Sequence, residues 1–445
     1  MDKIVERSAQ EPSAEYDVIV VGGGLAGLAF VLGLREAGLR VAVVDRQVQF
    51  DERILNFGND LQPNALLALD SLGLLEEVKQ LGALHRYWFA DEMGSGNLAG
   101  WDYAMLDHPH PYAICIRPHL LRGLLRDRVT CMPGVDMLIP AEFISFAVGD
   151  RWHQVNLKFS GKDLVAKTRL LVGSDGPNSR VRTAAGIKAD VRFYSHGWVD
   201  TIMARQQDEV TEGHVYFGPY DYLGIVPTRT NELVTFHLTS ATSQAEYRQQ
   251  FGSIEEFRRR YTQMAPILKN CIENVRSWDQ AVYTKNLRVR AERWIANGVA
   301  LAGDAAVSVN AITSQGACLA LEGGVRLASV VRRAFERGDL SAHSLTPYQA
   351  WSKSQAEMIQ DLGDLNLSVF TSRNPILSKI KLRMFRRLDS KPHLKHRILA
   401  YSCGLHWMVS GKLNWRDGFI GAGLWPDTHK WAGNYWPKGF KLSLD

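Results

Sequence analysis

The sequence predicts an α/β protein in which a Rossmann-like dinucleotide-binding domain is interleaved with a smaller α+β domain and followed by a helical C-terminal segment. Two observations predict this fold class. A strand, a glycine-rich turn, a helix and a second strand open the chain, and helical spacing dominates after Ser344. The 445 residues are enough for two or three domains, and 46% hydrophobic with 22% charged residues is typical of a globular protein.

The opening elements form a βαβ pattern. β-Branched residues predict a strand over 17–21, apolar residues at helical spacing predict a helix over 25–37 that Gly38 ends, and a second strand is expected over 41–45. Strands with alternating polarity are expected over 191–237. The remaining expected elements are helices over 64–81, 118–127, 253–263 and 316–335 and strands over 170–173 and 299–302.

The composition disfavours several classes of protein. Five cysteines lie far apart without a C-x-x-C pair, which argues against a zinc site or a disulfide framework and favours a reducing, cytoplasmic compartment. No apolar run reaches the ~18 residues of a transmembrane helix, and the polar residues 1–15 do not resemble a signal peptide. The net charge of +5 is local, because 373–397 holds nine Lys or Arg against one acid, and nucleic-acid binding is not expected.

The glycine-rich turn carries the first chemical signal. It reads Gly-Gly-Gly-Leu-Ala-Gly over 22–27, directly after a strand and at the start of a helix. Glycines let backbone N–H groups approach a pyrophosphate at the positive end of the helix, and an acid that ends the second strand can accept bonds from ribose hydroxyls. The residues predicted to contact the dinucleotide here are Gly22, Gly24, Leu25, Ala26, Gly27, Asp45 and Arg46.

Two further motifs indicate which dinucleotide is bound. The string LLVGSDGPNSRVR over 170–182 resembles the Asp-Gly motif of group A FAD-dependent monooxygenases, the para-hydroxybenzoate hydroxylase family. The string LAGDAA over 301–306 resembles that family's Gly-Asp motif. Together with the glycine turn, the motifs follow the family's order from about 16 to 331. The resemblance implies FAD as the cofactor and NADPH or NADH as a transient electron donor.

The resemblance also assigns residues to FAD. It implies that Asp304 bonds the ribityl chain and that Asp175 lies where the motif serves both FAD and the nicotinamide cofactor. Gly316 and Ala317, at the start of a helix, are expected to direct N–H groups at the flavin, whose reduced form is anionic there.

Two arginines are further candidates for contact with FAD. Arg117 occupies the place where relatives use Arg or Gln against the cofactor. Arg53 lies in a segment that resembles the Arg-Ile…Leu-Gln-Pro segment of squalene epoxidases but carries two extra residues. A solvated surface arginine is therefore the alternative for Arg53.

The resemblance implies a monooxygenase reaction. NAD(P)H reduces FAD, molecular oxygen forms a C4a-hydroperoxide on the reduced flavin, and a lipophilic, electron-rich substrate is hydroxylated or epoxidised. The alternatives are a prenyl-chain reductase or a halogenase on the same fold, and a non-catalytic flavin or lipid carrier. Halogenation is disfavoured, because 220–227 lacks both tryptophans of the halogenase motif.

The catalytic residues cannot be named from the sequence. In the family, the second domain lays a sheet over the flavin, and His214, Tyr216 and Tyr222 lie where that sheet lines the pocket. Alternation along a strand would turn all three toward one face, although each could equally be a core residue. The predicted domains are 16–83, 110–190 and 281–343 for FAD binding, 84–109 and 191–280 for substrate binding, and 344–445 for the helical C-terminal region.

The tail bears on the class of substrate. Four apolar residues recur every fourth position among basic residues, as on helices that lie on anionic membranes, and 373–404 resembles the C-terminal helices of ubiquinone-pathway hydroxylases. A peripheral membrane contact is therefore predicted, and a helix packed on the protein core is the alternative. The stripe is Ile376, Ile380, Met384 and Leu388, and the tryptophans near it are Trp407, Trp415, Trp425, Trp431 and Trp436.

Overall fold

The computed structural model describes residues 15–48, 58–94, 96–206, 209–219, 221–229, 231–409 and 413–425. The strands, numbered in chain order, are β1 (Glu15–Val21), β2 (Val41–Val44), β3 (Asn59–Leu61), β4 (Ala83–His85), β5 (Tyr87–Glu92), β6 (Gly96–Asp102), β7 (Ala113–Ile116), β8 (Val135–Leu138), β9 (Ala141–Ala147), β10 (His153–Phe159), β11 (Lys162–Gly173), β12 (Ala189–Phe193), β13 (Gly197–Ala204), β14 (Gly213–Phe217), β15 (Tyr222–Arg229), β16 (Glu232–Thr239), β17 (Ala281–Thr284), β18 (Leu287–Ala291), β19 (Ile295–Ala296), β20 (Val299–Leu301) and β21 (Val307–Ser308). The helices are α1 (Leu25–Gly33), α2 (Pro63–Ser71), α3 (Leu75–Leu81), α4 (Pro118–Thr130), α5 (Arg180–Ala184), α6 (Gln244–Phe251), α7 (Ile254–Met264), α8 (Gly316–Glu336), α9 (Ala342–Phe370), α10 (Pro375–Leu388), α11 (Pro392–Ser402) and α12 (Trp415–Gly421).

An eight-stranded sheet contains the strands that precede the three motifs. Its main order is β19-β20-β11-β1-β2-β8, and β10 and β9 extend it antiparallel from β11. The strands β20, β11, β1, β2 and β8 run parallel, and Gly173 at the end of β11 pairs with both Val21 and Leu301. Because the carboxyl ends of parallel strands meet at one edge of a sheet, the motifs that follow these strands lie together.

Helices α1 and α8 cross in backbone contact beside this sheet. A Cβ added to Gly324 of α8 would lie 2.5 Å from the carbonyl oxygen of Ala26 on α1, so a larger residue cannot occupy the crossing without moving a helix. Phe30 and Leu28 of α1 are fully buried in the same core. This close crossing brings the beginnings of both helices to the motif edge.

A seven-stranded sheet, in the order β17-β13-β16-β15-β14-β5-β6, forms a second layer. One side of it packs against α6 and α7 through a separate core that includes Tyr247, Phe257 and Tyr261. Helices α6 and α7 are each capped by a serine, Ser243 and Ser253, whose side chain accepts a backbone N–H bond in the first turn. Side chains on the other side of the sheet, such as Phe217 and Tyr222, line a cavity.

The C-terminal helices pack on this sheet. Asn374 caps α10, its side chain accepting the N–H of Ile376 at 2.9 Å. Phe385 of α10 stacks on Phe217 of β14 with ring centroids 4.6 Å apart. In the predicted stripe Leu388 is fully buried, whereas Ile376 is 66% exposed. One face of this helix, with Ser378, Lys381, Phe385 and Leu388, therefore packs on the protein. In the described part of the chain no helix combines the length and apolar character that crossing a membrane requires.

Two predicted helices differ from the observed ones. The helix expected over 25–37 ends at Gly33, because the following residues form tighter turns in which the N–H of Ala37 bonds the carbonyl of Leu34 at 2.9 Å. The stretch expected as one helix over 64–81 is two helices, α2 and α3. Gly73 separates them in the left-handed region, with φ of +73°, a conformation that a continuing helix cannot contain.

Candidate functional site

The glycine turn after β1 forms one wall of a cavity of about 570 Å³. Gly22 has φ of +104°, and a Cβ added to it would lie 2.2 Å from the carbonyl oxygen of Ser174. A Cβ added to Gly27 would lie 2.3 Å from the carbonyl oxygen of Gly22. Gly24 differs, because it lines the cavity and an added Cβ would meet nothing within 4 Å. The turn therefore needs glycine to close and presents bare backbone to the cavity.

Two helices begin at this cavity. Leu25 and Ala26 open α1 on one side, and Gly316 and Ala317 open α8 on the other, and all four line the cavity. The first N–H groups of a helix have no partner within the helix and form the positive end of its dipole. This part of the cavity is therefore suited to anionic and hydrogen-bond-accepting groups.

Asp304 follows β20 and faces the same cavity. Its side chain is exposed toward the cavity, yet the protein packed around it desolvates the charged form and raises the pKa of its carboxyl to about 6. A hydrogen bond with Ser308 opposes part of this shift. An ionised Asp304 can accept hydroxyl hydrogen bonds from a polyol chain in the cavity.

Asp175 follows β11 and binds its own loop. Its carboxylate accepts bonds from the hydroxyl of Ser179 and from the N–H groups of Arg180, at 2.7 Å, and Val181, at 3.2 Å. The carboxylate is thus directed at the beginning of α5, whereas the neighbouring Gly176 lines the cavity. The contact of Asp175 with FAD remains a prediction.

Asp45, at the end of β2, is held against the glycine turn. Its Oδ2 accepts the N–H of Gly23 at 2.8 Å and a bond from Arg122 at 2.6 Å. Arg122, on α4, also donates to the carbonyl of Gly23 at 2.6 Å and lines the cavity. Burial lowers the pKa of Arg122 to about 10, and Asp45 opposes this shift. The guanidinium of Arg122 therefore lies beside the carboxylate of Asp45, although no sequence motif indicates this pair.

Two of the three predicted arginines, Arg46 and Arg117, are among the described residues. Arg46 is exposed. Arg117 is buried at the start of α4, with its guanidinium 3.4 Å from the carboxylate of Glu232 on β16. Arg53 lies outside the described residues. Neither Arg46 nor Arg117 is among the described residues that line the cavity, and contact of any of the three with FAD stays a prediction.

A second cavity, of about 330 Å³, adjoins the first. Trp88, Tyr222 and Ser314 line both cavities, so the two spaces meet at these residues. The second cavity is lined by β5, β6, β14, β15 and the C-terminal helices, and most of its lining side chains are aliphatic or aromatic. They include Phe217, Leu365, Phe370, Ile380, Met384, Phe385, Trp415 and Phe419.

A buried polar network lies where the cavities meet. Asp60 pairs with Nε2 of His85 at 2.7 Å and accepts a bond from the Gln62 amide at 2.5 Å, and the Tyr103 hydroxyl donates to the Gln62 oxygen at 2.6 Å. Asp60 lines the first cavity, and Gln62 and Tyr103 line the second. Burial, and the charge of Asp60, raise the pKa of Tyr103 well above its usual value, so its hydroxyl remains a donor.

Comparison with known proteins places this arrangement in a family. A family model described as FAD binding domain matches residues 15–361. The 6-methylpretetramide 4-monooxygenase of Streptomyces rimosus is 27% identical over 77% of this chain and 82% of its own length. The 3-demethoxyubiquinol 3-hydroxylase of Escherichia coli K12 is 22% identical over 87% and 98%. The solved p-nitrophenol 4-monooxygenase of Pseudomonas putida DLL-E4 shares the fold, with a TM-score of 0.75 at 20% identity over 88% of this chain and 99% of that one.

The chain belongs to the group A FAD-dependent monooxygenases. The matched range covers most of the chain and contains all three motifs. The predicted family, the α/β fold class and FAD as cofactor are thereby confirmed, and NAD(P)H is the electron donor typical of the family. The first cavity of the monooxygenase, which we call the cofactor cavity, has the bare backbone, helix beginnings and polyol acceptor that FAD requires.

The predicted arrangement of the three pocket candidates is wrong. Tyr222 pairs with Phe217 across β14 and β15, and both side chains line the second cavity. His214 and Tyr216 are therefore on the opposite side of the sheet. Tyr216 is in the core with α6 and α7, and His214 bonds Asp91 at 2.9 Å. The turn between the strands changes which residues share a face, and simple alternation does not account for that turn.

Several residues that line the cavities of the monooxygenase or lie between them were not predicted from the sequence. Arg122 lies one and a half turns beyond Arg117 on α4, and Asp60 and His85 become partners only in the folded chain. Asp200 of β13 lines the cofactor cavity, and burial raises the pKa of its carboxyl well above its usual value. A polar residue inside an otherwise buried strand is the signal that could have singled out Asp200.

Proposed function

We propose that the monooxygenase uses FAD and NAD(P)H to hydroxylate or epoxidise a lipophilic, electron-rich substrate that occupies the second cavity. The substrate classes that fit are a prenylated quinone, a quinolone, another aromatic compound or a polyene. The observation that carries this proposal is the apolar lining of the cavity that meets the cofactor cavity at Trp88, Tyr222 and Ser314. Apolar surface buried there stabilises the complex by about 25 cal/mol per Å².

The cofactor cavity is proposed to hold FAD mainly through backbone groups. Bound FAD, once reduced, supplies the activation of oxygen. The helix beginnings at Leu25 and Gly316 would bind its anionic and carbonyl groups, Asp304 would accept its ribityl hydroxyls, and Arg122 would add a positive charge. The residues proposed to hold it are Gly22, Gly24, Leu25, Ala26, Gly27, Asp45, Arg122, Asp304, Gly316 and Ala317.

The second cavity is proposed to orient the substrate. Its polar end, at Gln62 and Tyr103, adjoins the cofactor cavity, whereas the end formed by α10 and α12 is mostly apolar apart from Lys381, Asn414 and Asp417. A substrate whose ring carries a hydroxyl or carbonyl would bond Gln62 or Tyr103 and place its apolar part among the helices. The name of the Escherichia coli relative describes a ubiquinol as its substrate, which supports this class here.

The test is product analysis with the FAD-loaded protein. Candidate quinols, quinolones and polyenes are incubated with the protein and NADH or NADPH. We expect one of them to stimulate the oxidation of NADH or NADPH, and we expect mass spectrometry to show that this compound has gained one oxygen atom. A Met384→Trp variant fills the cavity and should abolish that stimulation while retaining FAD. A product with a saturated prenyl chain would indicate a reductase. Absence of any stimulated oxidation across the panel would indicate a carrier.

We also propose a peripheral membrane contact at the outer end of the second cavity. Leu377 and Trp415 line this cavity and are also 39% and 56% exposed, so the cavity reaches the surface between α10 and α12. Ile376 is exposed on α10, and Leu424 and Trp425 are exposed shortly after the end of α12. We call these five residues the apolar rim. The basic residues Lys379, Arg387 and Arg416 are exposed on the same segments.

Co-sedimentation with vesicles tests the apolar rim. We expect the protein to prefer anionic over neutral vesicles at low salt, and an Ile376→Glu, Trp415→Glu double variant to lose binding to both. Replacing Lys379 and Arg416 with Gln should weaken anionic binding by about 1 kcal/mol each. Trp351→Glu is the matched control, since Trp351 is also exposed but lies on α9. Equal sedimentation with both kinds of vesicle would contradict the proposal.

A further inference from the structure

Lys381 is a buried cation in the wall of the apolar cavity. It lies on α10, is 3% exposed and lines the cavity together with Phe217 and Phe370. Its ammonium is 5.8 Å from the ring centroid of each of these phenylalanines. Its hydrogen bond is to the carbonyl oxygen of Gly218, at 3.2 Å. An ammonium can donate three hydrogen bonds, so two of its donors have no described protein acceptor.

The charge of Lys381 is only partly compensated. Among the described residues no carboxylate lies within 4.0 Å of its ammonium. Burial lowers the pKa of Lys381 to about 8, and the more distant Asp221 opposes that shift. Asp417, an acid that lines the cavity, is already paired with Arg397 at 2.8 Å. A buried charge normally has an ionic or fully hydrogen-bonded partner, and this one faces a cavity instead.

A purely structural role would not require the cation. The neighbouring Ser378 of α10 already bonds the carbonyl of Pro219 at 3.2 Å, so the helix is tied to the turn after β14 by a neutral side chain. Two phenylalanine faces attract an ammonium, but only modestly compared with an anion in the same low-dielectric space. The unfilled donors of Lys381 are therefore best matched by a group that enters the cavity.

We propose that Lys381 binds an anionic oxygen of the substrate, a carboxylate or an ionised phenol. This inference rests on the proposed function and narrows it: the substrate would be an amphiphile whose apolar body fills the cavity and whose acidic group lies against α10. Such a group would contribute a charge-assisted hydrogen bond of a kind that a neutral analogue lacks. The other residues that line the cavity would contact the anionic compound and its neutral analogue equally well.

The experiment compares two probes of the same apolar shape, biphenyl-4-carboxylate and biphenyl-4-carboxamide. Isothermal titration calorimetry of each with the FAD-loaded protein should show the carboxylate binding about ten- to a hundredfold more tightly. Lys381→Met should remove that preference while leaving carboxamide affinity unchanged, and Lys381→Arg should retain most of it. Lys379→Met is the matched control. Because Lys379 is exposed on the same helix, its substitution should change the affinity of neither probe.

Each outcome decides the inference. FAD content and thermal unfolding identify a variant that has failed to fold. If Lys381→Met fails to fold, the preference of the parent protein for the carboxylate probe over the carboxamide probe tests the inference by itself. Equal binding of both probes by the parent, or an unchanged preference in Lys381→Met, would overturn the role of Lys381 and leave the cavity as the substrate site. Binding of neither probe would overturn the role of Lys381 and the proposed site together.

Discussion

The cofactor cavity and the apolar cavity adjoin each other but are built in different ways. The cofactor cavity presents backbone from a glycine turn and from the beginnings of two helices. The apolar cavity presents side chains from four strands and four helices, and most of its lining residues follow the range matched by the family model, which ends at Asp361. Sites made of backbone need particular residues at fixed spacings, whereas an apolar wall can be made by many different sequences.

Gly22→Ala tests whether the wall made of backbone requires glycine, and we expect it to have the largest effect on stability. The φ of +104° and a distance of only 2.2 Å from the added Cβ to the Ser174 carbonyl oxygen both oppose a side chain, so we expect a loss of about 4 kcal/mol or more of unfolding free energy. Gly24→Ala is the matched control, since its Cβ would enter the cavity without touching protein. It should keep the apoprotein's thermal midpoint and lower only FAD affinity. Similar midpoints for both variants would contradict the distinction.

His85→Leu tests the boundary between the two cavities. The substitution leaves the buried Asp60 without its histidine hydrogen-bond partner, and we expect the unfolding free energy measured in urea to fall by about 3 kcal/mol. An Asp60→Leu, His85→Leu double variant removes both polar groups and should recover part of that loss. Additive losses in the double variant would show that the pair is not coupled.

Asp304→Ala should lower FAD affinity by about ten- to a hundredfold, because one charge-assisted hydrogen bond is removed. Asp175→Ala should affect FAD affinity less and mainly destabilise the loop before α5, whose N–H groups its carboxylate accepts. Titration of the apoproteins with FAD, followed by flavin fluorescence, measures both. Parent-like affinity in Asp304→Ala would contradict the assignment.

The affinity for FAD should also depend on pH through Asp304. Its carboxyl has a raised pKa of about 6, so it takes up a proton as the pH falls from 7 to 5, and the neutral form is the poorer acceptor. If only the ionised form binds, affinity should fall about tenfold over that interval, whereas Asp304→Asn should show a flat profile. A parent profile as flat as that of the variant would contradict this prediction.

Tyr222→Leu should have the smallest effect and tests which side of the sheet faces the apolar cavity. Loss of one aromatic contact should weaken binding of biphenyl-4-carboxamide by about two- to tenfold. Tyr216→Leu should leave that affinity unchanged, because its ring packs in the core with α6 and α7, although the protein should become less stable. A weaker probe affinity in Tyr216→Leu would reverse the assignment of faces.

The difference between the cavities explains what the sequence could predict. The sequence predicts Gly22 and Asp304 as cofactor residues because each follows a buried parallel strand, where local pattern and chemistry coincide. Asp60 and His85, or Lys381 and Gly218, meet only through folding, and their separation in the chain leaves no local signal. His214 and Tyr216 were misplaced because the side chains that share a face depend on strand register across the hairpin.

The two cavities are lined largely by different parts of the chain, and this separation has an evolutionary consequence. Among the described residues, those lining the cofactor cavity end at Ala320, whereas the walls contributed by α9 to α12 belong to the apolar cavity alone. If the apolar cavity binds the substrate, as proposed, mutations in these helices would change substrate preference and leave the residues that line the cofactor cavity unchanged, so the two functions could diverge at different rates. Exchanging 362–425 between relatives should therefore transfer substrate preference, and the C-terminal segment is where new specificities in this lineage would be sought.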